Sequence, residues 1–229
     1  LDRVAEHNRL DPADIDAMTR WFAELARDPA IRALIITGTG ERTFSSGYTL
    51  DAILSELDDR LERMLDSLEV LPFVTIAALN GSVYGGATDL ALACDMRIGM
   101  TGCRMFMPAA RFGLHYYAGG MRRYVSRLGL SAAKKLFLTA MTVECDEMLR
   151  MGFLTEAVAP EHFASRIGEY LAAIGQTEPL AVRSMKRQLN HIAEGRFDEL
   201  TMRAANRASM TSPQLRERLT RQLAGRKAR

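Results

Sequence analysis

Two apolar, β-branched runs constrain the fold of this chain more than any other feature. Residues 33–37 read Ala-Leu-Ile-Ile-Thr, and residues 73–79 read Phe-Val-Thr-Ile-Ala-Ala-Leu. Neither run alternates apolar with polar side chains, which is typical of strands buried on both faces of a parallel sheet. Segments with helical spacing of apolar residues lie at 12–27 and 51–70. Strands that alternate with helices predict an α/β fold with crossover connections.

The remaining elements are predicted from a helix-start signal at Asp11 and from the residue pattern after Gly86. Asp11 is placed as the N-cap of the first helix, and Pro12 follows at its first position. A helix is predicted after Gly86 and a short strand at 96–100. From about residue 131 the pattern is mostly helical, with segments at 131–141, 145–151, 160–174, 178–193 and 197–209. We therefore expect an α/β core over residues 1–130 and a helical C-terminal region over 131–229.

Composition and motifs exclude several classes of function. The formal net charge of +2 over 229 residues is too small to predict binding to nucleic acid or to an anionic membrane. No apolar run approaches the roughly 20 residues that a membrane helix needs. The three cysteines have no zinc-site spacing, and no GxSxG, GxxxxGK or strand-linked GxGxxG motif is present. We expect a cytoplasmic protein without a metal site.

Two glycine-centred turns are the strongest candidates for a binding site. They lie at 44–50 and 80–87, each between a predicted strand and a predicted helix. Backbone N–H groups at a helix start favour negative charge, so a pair of them aimed at one point would hold an oxygen that becomes charged. Each turn alone also fits a role in tight geometry and close packing.

In combination, these segments carry a family resemblance. The order is Asn-Arg-Leu-Asp at 8–11, Phe-Ser-Ser-Gly-Tyr-Thr-Leu at 44–50, Asn-Gly-Ser-Val-Tyr-Gly-Gly at 80–86, and a Gly-Gly pair at 119–120. This order resembles the enoyl-CoA hydratase/isomerase (crotonase) superfamily from Asn8 to the C-terminal helices. The resemblance implies a ClpP/crotonase spiral of ββα units whose 1–130 core binds an acyl-CoA.

The resemblance also implies partners. Coenzyme A would be part of the substrate, with no tightly bound cofactor, and the helical region would form a homotrimer or a dimer of trimers. Nucleic acid and membrane are not expected as partners. The basic C-terminal tail, with Arg216, Arg218 and Arg221, is interpreted as a solvated or frayed end. Contact with a coenzyme A phosphate or with a neighbouring subunit is the alternative.

The resemblance assigns roles to residues in the two turns. The backbone N–H groups of Tyr48 and Gly86 would form an oxyanion hole for the thioester oxygen. The acyl-CoA would bend between the turns, with its adenine near the segment after Leu50. Further substrate-binding residues in these turns are Ser46, Gly47 and Gly85. The Tyr48 phenol would narrow or reshape the acyl pocket.

The acid–base residues depart from the family pattern. The first of the two glutamates of a hydratase falls at Asp89, which is shorter by one methylene, roughly 1.5 Å. The second falls at Ala109, which cannot transfer a proton and would only line the site. Asp89 is either the main base or a first-turn carboxylate that stabilises the helix dipole. Single-base, isomerase-like chemistry is therefore favoured over hydration.

A loop supplies further catalytic candidates. Other family members carry an acid at the position of Tyr117, and His115 lies two residues earlier. A histidine can exchange protons near neutral pH, and a tyrosine can donate to a carbanion. The alternative is that Tyr117 packs the pocket wall and His115 is a structural loop residue. Arg111 would bind a carboxylated acyl group or Asp89, or lie exposed.

The function favoured is an enzyme that forms and stabilises a thioester enolate. Two alternatives remain open at this level. One is an acyl-CoA-binding protein that has lost catalysis, because one glutamate is absent and the other is shortened. The other is a thioesterase or decarboxylase on the same fold.

Overall fold

The computed structural model describes residues 1–49, 51–52 and 58–227. Within them the chain forms two compact units, Leu1–Gly175 and Gln176–Arg229. The first unit holds all the strands, and the second is helical. The functional division at residue 130 into a substrate-binding core and a trimerisation region stays a prediction.

Eight strands in the described residues form two four-stranded sheets. One sheet has the order β1-β3-β5-β8, with every pair parallel, and the other has the order β2-β4-β6-β7, with only the last pair antiparallel. The strands are β1 Ala33–Thr37, β2 Thr43–Ser45, β3 Val74–Leu79, β4 Ser82–Tyr84, β5 Met96–Met100, β6 Arg104–Phe106, β7 Val143–Glu144 and β8 Glu156–Val158. Successive strands alternate between the sheets as far as β6, as the predicted spiral of ββα units requires.

Helices follow the strand pairs and fill the C-terminal part. They are α1 Pro12–Leu25, α2 Arg60–Glu69, α3 Gly86–Ala93, α4 Ala118–Leu128, α5 Leu130–Thr139, α6 Cys145–Arg150, α7 Pro160–Gly175, α8 Pro179–Ala193, α9 Glu199–Met210 and α10 Pro213–Lys227. Short 3-10 helices span Val4–Glu6 and Ala109–Phe112. The α1 start is confirmed, because Asp11 is the N-cap before Pro12 and forms a capping box with Asp14 in the first turn.

The structure corrects two predictions, one about the burial of a strand and one about the length of a helix. The run at 33–37 does form β1, but only Ile36 in it is buried, because β1 lies at the edge of its sheet. By contrast, all six residues of β3 are buried. The predicted helix at 51–70 is not continuous, since Asp58 and Asp59 lie outside α2. The acidic N-cap region at 58–59 thus starts a separate helix.

Helix α3 lies at the centre of the first unit. Every residue from Ala87 to Ala93 is buried, so this helix has no polar face turned to solvent. Such a helix is packed on all sides, and a carboxylate on it must find its partners inside the protein. Asp89 is that carboxylate.

The second unit is a set of three capped helices. Glu178 caps α8 by accepting hydrogen bonds from the N–H groups of Leu180 and Ala181, at 3.1 and 2.7 Å. Arg218 on α10 donates to the carbonyl oxygens of Gln176 and Thr177, at 2.7 and 3.0 Å. The interpretation of the basic tail as a solvated end fits the exposure of residues 213–224, which are helical and not frayed, because α10 extends to Lys227. No described helix is both long and apolar enough to span a membrane.

Candidate active site

The turn after β2 is held in place by the N-terminal segment. Leu10 forms a parallel bridge with Tyr48, in which the Leu10 N–H donates to the Gly47 carbonyl at 2.8 Å and the Thr49 N–H donates to the Leu10 carbonyl at 3.0 Å. In an extended chain the N–H groups of successive residues point to opposite sides. Since Gly47 and Thr49 face Leu10, the Tyr48 N–H is directed away from it.

Asn8 anchors this N-terminal segment, and the sequence analysis gave it no role. Its side chain is buried, and Nδ2 donates to the carbonyl oxygens of Thr39 and Thr43, both at 2.9 Å. Its Oδ1 accepts from the Arg3 N–H at 2.9 Å. The asparagine at the start of the 8–11 motif was the only signal in the sequence. Its contacts fix the segment that positions Tyr48.

The second turn leads into α3. Gly85 has φ +53°, a conformation that disfavours other residues, and its N–H donates to the Phe106 carbonyl at 2.8 Å. The Thr88 hydroxyl and N–H both donate back to the Gly85 carbonyl, at 2.6 and 3.0 Å. Gly86 is the first residue of α3, where the amide has no intrahelical acceptor and the helix dipole favours negative charge.

The two turns meet closely at their glycines. A methyl group built on Gly47, which has φ +88°, would lie 2.5 Å from the Tyr84 carbonyl oxygen and 2.9 Å from the Gly86 nitrogen. A methyl group on Gly86 would lie 3.6 Å from the Tyr48 nitrogen. Only glycine at position 47 permits this approach. The backbone nitrogens of Tyr48 and Gly86 are thereby brought to one place at the positive end of a helix.

A cavity of about 720 Å³ lies beside this place. That volume is within the range of pockets that bind small molecules. Its described lining includes seven of the predicted site residues, namely Ser46, Tyr48, Gly85, Gly86, Ala109, His115 and Tyr117. Gly47, Asp89 and Arg111 are not among the described lining residues, and Leu50 lies outside the described part of the chain. The structure therefore brings most of the predicted residues to one cavity.

The carboxylate of Asp89 is fully buried and is absent from the described lining of the cavity. Its Oδ1 accepts from Arg123 Nε at 2.8 Å, and its Oδ2 accepts from Arg123 Nη2 at 3.0 Å. Oδ2 also accepts a hydrogen bond from the Tyr117 hydroxyl at 2.7 Å. Asp89 therefore occupies the first turn of α3, as its sequence position requires, and it contacts the cavity lining through the hydroxyl of Tyr117.

Arg123 belongs to a buried ionic cluster that the sequence analysis missed. Its guanidinium is fully buried, and Nη1 contacts Asp66 at 2.6 Å and Glu69 at 3.2 Å in addition to the fork on Asp89. Glu69 is paired in turn with two further α4 arginines, Arg122 and Arg127, the latter at 2.9 Å. Three carboxylates thus meet three guanidinium groups. We call these six side chains, from Asp66, Glu69, Asp89, Arg122, Arg123 and Arg127, the α2–α3–α4 ionic cluster.

The cluster shifts the pKa values of Glu69 and Arg123 toward their charged forms. Burial alone would raise the pKa of Glu69, but the hydrogen bond from Arg122 and the charges of Arg127 and Arg123 outweigh burial and lower it. Burial alone would lower the pKa of Arg123, but the hydrogen bonds and charges of Asp89, Asp66 and Glu69 raise it above its ordinary value. Both side chains are therefore charged in the folded protein.

The loop before α4 places two tyrosines against the cavity. Tyr116 and Tyr117 stack with ring centroids 4.2 Å apart, and their hydroxyl oxygens are 3.0 Å apart. Burial, together with the neighbouring Tyr116 and the Asp89 carboxylate, raises the pKa of Tyr117 well above its ordinary value. Tyr117 is therefore a neutral phenol that donates to Asp89 and faces the cavity.

His115 and Arg111 occupy different positions from Tyr117. His115 is exposed, and its Nδ1 lies 2.8 Å from the Tyr116 carbonyl oxygen, so Nδ1 carries the hydrogen. Arg111 donates to the Ala140 carbonyl at 2.7 Å, and its guanidinium lies 4.6 Å from the centroid of the Phe106 ring. The suggested pairing of Arg111 with Asp89 is wrong, because Arg123 occupies both oxygens of that carboxylate.

Ala109 and Glu62 both line the cavity, together with the carboxylates of Asp51, Asp58 and Asp59. Ala109 is buried at the start of its 3-10 helix and lines the cavity with a methyl group, where the family pattern has a glutamate. Glu62 on α2, which the sequence analysis missed, lines the cavity, and its Oε1 accepts from the Gly119 N–H at 2.8 Å. Within the described chain, no group of three or more acidic, histidine or cysteine side chains is arranged to hold a metal ion.

Comparisons with known proteins identify the family to which this chain is similar. The chain matches the enoyl-CoA hydratase/isomerase family model over residues 1–225. It is 29% identical over 197 residues to the short-chain-enoyl-CoA hydratase of Clostridium acetobutylicum, which covers 83% of this chain and 76% of that protein. It is 31% identical over 196 residues to the carnitinyl-CoA dehydratase of Proteus mirabilis, covering 81% of this chain and 73% of that protein.

A solved structure supports the same fold. The crystal structure of the enoyl-CoA hydratase from Bacillus anthracis matches with a TM-score of 0.86 at 23% identity, covering 99% of this chain and 90% of that one. The two sheets and the helical C-terminal part are thus the crotonase fold predicted from the motifs. The chain therefore belongs to the enoyl-CoA hydratase/isomerase family of acyl-CoA enzymes.

Proposed function

We propose that this enzyme binds an enoyl- or acyl-CoA thioester in the cavity and stabilises its enolate with the backbone N–H groups of Tyr48 and Gly86. The observation that carries the proposal is the contact of the two turns, in which a methyl group on Gly47 would lie 2.9 Å from the Gly86 nitrogen. Two main-chain donors at one point in a partly enclosed site stabilise a developing negative charge strongly. Every substitution at position 48 except proline keeps the backbone N–H donor.

We propose further that the chemistry uses one carboxylate, Asp89, and favours double-bond isomerisation over hydration. Hydration by paired carboxylates needs one group to activate water and another to protonate the α-carbon. Ala109 lines the cavity in place of the second group. Moving a double bond needs only one group, which takes a proton from the α-carbon and returns it at the γ-carbon.

Proton exchange at the α-carbon tests this function directly. With butyryl-CoA in D2O, we expect the enzyme to exchange the α-protons, which mass spectrometry measures. A 3-enoyl-CoA should isomerise faster than a 2-enoyl-CoA is hydrated. Asp89→Asn should lower the exchange rate by about 10²–10⁴-fold, the usual contribution of a general base. An exchange rate equal to the uncatalysed rate would refute the enolate assignment.

A binding protein without catalysis is the second candidate. It is favoured by the pairing of both Asp89 oxygens with Arg123 and by the absence of Asp89 from the described lining of the cavity. Tight binding of butyryl-CoA with neither exchange nor thioester hydrolysis would favour it. Hydrolysis without exchange would favour a thioesterase, and loss of CO₂ from malonyl-CoA would favour a decarboxylase.

We also propose a homotrimer or a dimer of trimers. The second unit exposes large apolar side chains on Leu180, Leu189, Phe197 and Leu200, each more than 60% exposed. Exposed apolar side chains in such number favour contact with another protein surface. Light scattering coupled to size exclusion should give a mass of three or six chains of 25.5 kDa. A monomeric mass at micromolar concentration would contradict this proposal.

A further inference from the structure

The hydrogen bond between Tyr117 and Asp89 joins a residue that lines the cavity to a carboxylate that is absent from its described lining. Asp89 is fully buried and is absent from the described lining of the cavity, whereas Tyr117 lines it. Asp89 is also one methylene, roughly 1.5 Å, shorter than a glutamate. A base must lie about 2.6–3.2 Å from the atom that carries the proton. Asp89 meets that distance with the Tyr117 oxygen, at 2.7 Å.

We propose that Tyr117 and Asp89 act as a proton relay, with Tyr117 as the catalytic residue that touches the substrate. This inference rests on the proposed function. The α C–H bond breaks, its proton passes to the Tyr117 oxygen, and its electron pair becomes the enolate held by the Tyr48 and Gly86 amides. In the same step the Tyr117 O–H bond breaks and its proton passes to Asp89 Oδ2. Reprotonation of the substrate reverses both transfers.

The relay avoids an ionised phenol. A phenolate at Tyr117 would lie beside the Asp89 carboxylate in a buried site, and both burial and that like charge oppose it. In the relay Tyr117 is neutral before and after the step, and only Asp89 changes its charge. The tyrosine therefore extends the reach of the shortened carboxylate without becoming charged itself.

The α2–α3–α4 ionic cluster would stabilise the enolate when the relay transfers a proton to Asp89. At rest its three carboxylates, on Asp66, Glu69 and Asp89, balance its three guanidinium groups. Protonation of Asp89 leaves the cluster with one net positive charge. That charge arises in the same step as the negative charge of the enolate, and opposite charges in a site of low dielectric attract strongly. Arg123 is thus a positioning residue, because its guanidinium contacts both oxygens of Asp89 and orients that carboxylate.

Removal of one hydroxyl tests the relay, with a matched control elsewhere in the fold. Tyr117→Phe should lower α-proton exchange of butyryl-CoA by about 10²–10⁴-fold, with the Kd for butyryl-CoA, measured by calorimetry, within threefold of wild type. Tyr170→Phe removes the same kind of bond away from the cavity lining, because the hydroxyl of Tyr170 on α7 donates to Oε2 of Glu156 on β8 at 2.9 Å. It should leave exchange unchanged. Exchange in Tyr117→Phe within threefold of wild type overturns the relay.

A solvent isotope effect on the wild-type enzyme is a second test, and a Glu62 variant is a third. In the relay the Tyr117 O–H bond breaks together with the α C–H bond, so the rate of α C–H loss should be slower in D2O than in H2O. Direct transfer to Asp89 or Glu62 breaks no O–H bond, and equal rates would overturn the relay. Loss of exchange in Glu62→Gln but not in Tyr117→Phe would also overturn it. Absence of exchange in the wild-type enzyme would instead refute the proposed function itself.

Discussion

Substitution of Gly47 by alanine should strongly lower the rate of α-proton exchange while leaving a folded protein. The new methyl group would lie 2.5 Å from the Tyr84 carbonyl and 2.9 Å from the Gly86 nitrogen, so the two turns must separate. Loss of one oxyanion donor lowers turnover by about 10²–10³-fold, and this change displaces both donors. We expect α-proton exchange to fall by at least about 10²-fold, with a loss of about 1–3 kcal/mol in the free energy of unfolding.

Gly102 provides the matched control for this substitution. Its φ of +84° is close to the +88° of Gly47, but a methyl group there would meet nothing within 4 Å. Gly102→Ala therefore carries the backbone strain without the close approach. We expect a loss of about 1 kcal/mol in urea unfolding and no change in exchange. Equal exchange rates in the two variants would show that the contact of the turns is not what orients the donors.

Replacement of Arg123 by methionine should give the largest loss of stability of any single side-chain change in the site. It leaves Asp89 and Glu69 buried, with Asp89 deprived of the guanidinium that contacts both of its oxygens. Removing one partner of a buried ion pair costs about 3–5 kcal/mol, because the other charge stays buried. Urea unfolding should show this loss, and α-proton exchange should fall with it.

Arg63 on α2 is the control for the loss of a charge pair. It pairs with Asp59 at 2.8 Å, but the two side chains are 67% and 59% exposed, so Arg63→Met should cost less than about 1 kcal/mol. Combining Arg123→Met with Asp89→Asn removes the stranded charge and should restore part of the lost stability. A loss below about 1 kcal/mol in Arg123→Met would contradict the view that the cluster stabilises the fold.

Much of the fold follows from local patterns in the sequence. The buried strand β3 and the start of α1 were predictable because apolar runs and caps act over a few residues. Strands β2, β4, β6, β7 and β8 were missed because two or three residues show no periodicity. The edge position of β1 depends on sheet order, and no local pattern encodes that order.

The two glycine turns of the site could be predicted from the sequence, but its buried ion pairs could not. The two glycine turns have local signatures, and the structure brings Tyr48 and Gly86 to one cavity. The partner of Asp89 lies 34 residues away, on a helix whose arginines read in sequence as an exposed polar face. Burial of that face arises from the packing of α4 against α2 and α3. Ion pairs of this kind depend on tertiary contacts that amphipathic patterns do not contain.

The bridge from Leu10 to Tyr48 ties the segment around Leu10 to the turn that we propose supplies an oxyanion-hole donor. Proteins open locally in cooperative units, each with its own free energy. Detachment of the segment anchored by Asn8 would release the Tyr48 turn in the same event. Hydrogen exchange at the Leu10 and Thr49 amides should therefore share one opening free energy, and the active fraction of the enzyme cannot exceed the fraction in which that segment is docked.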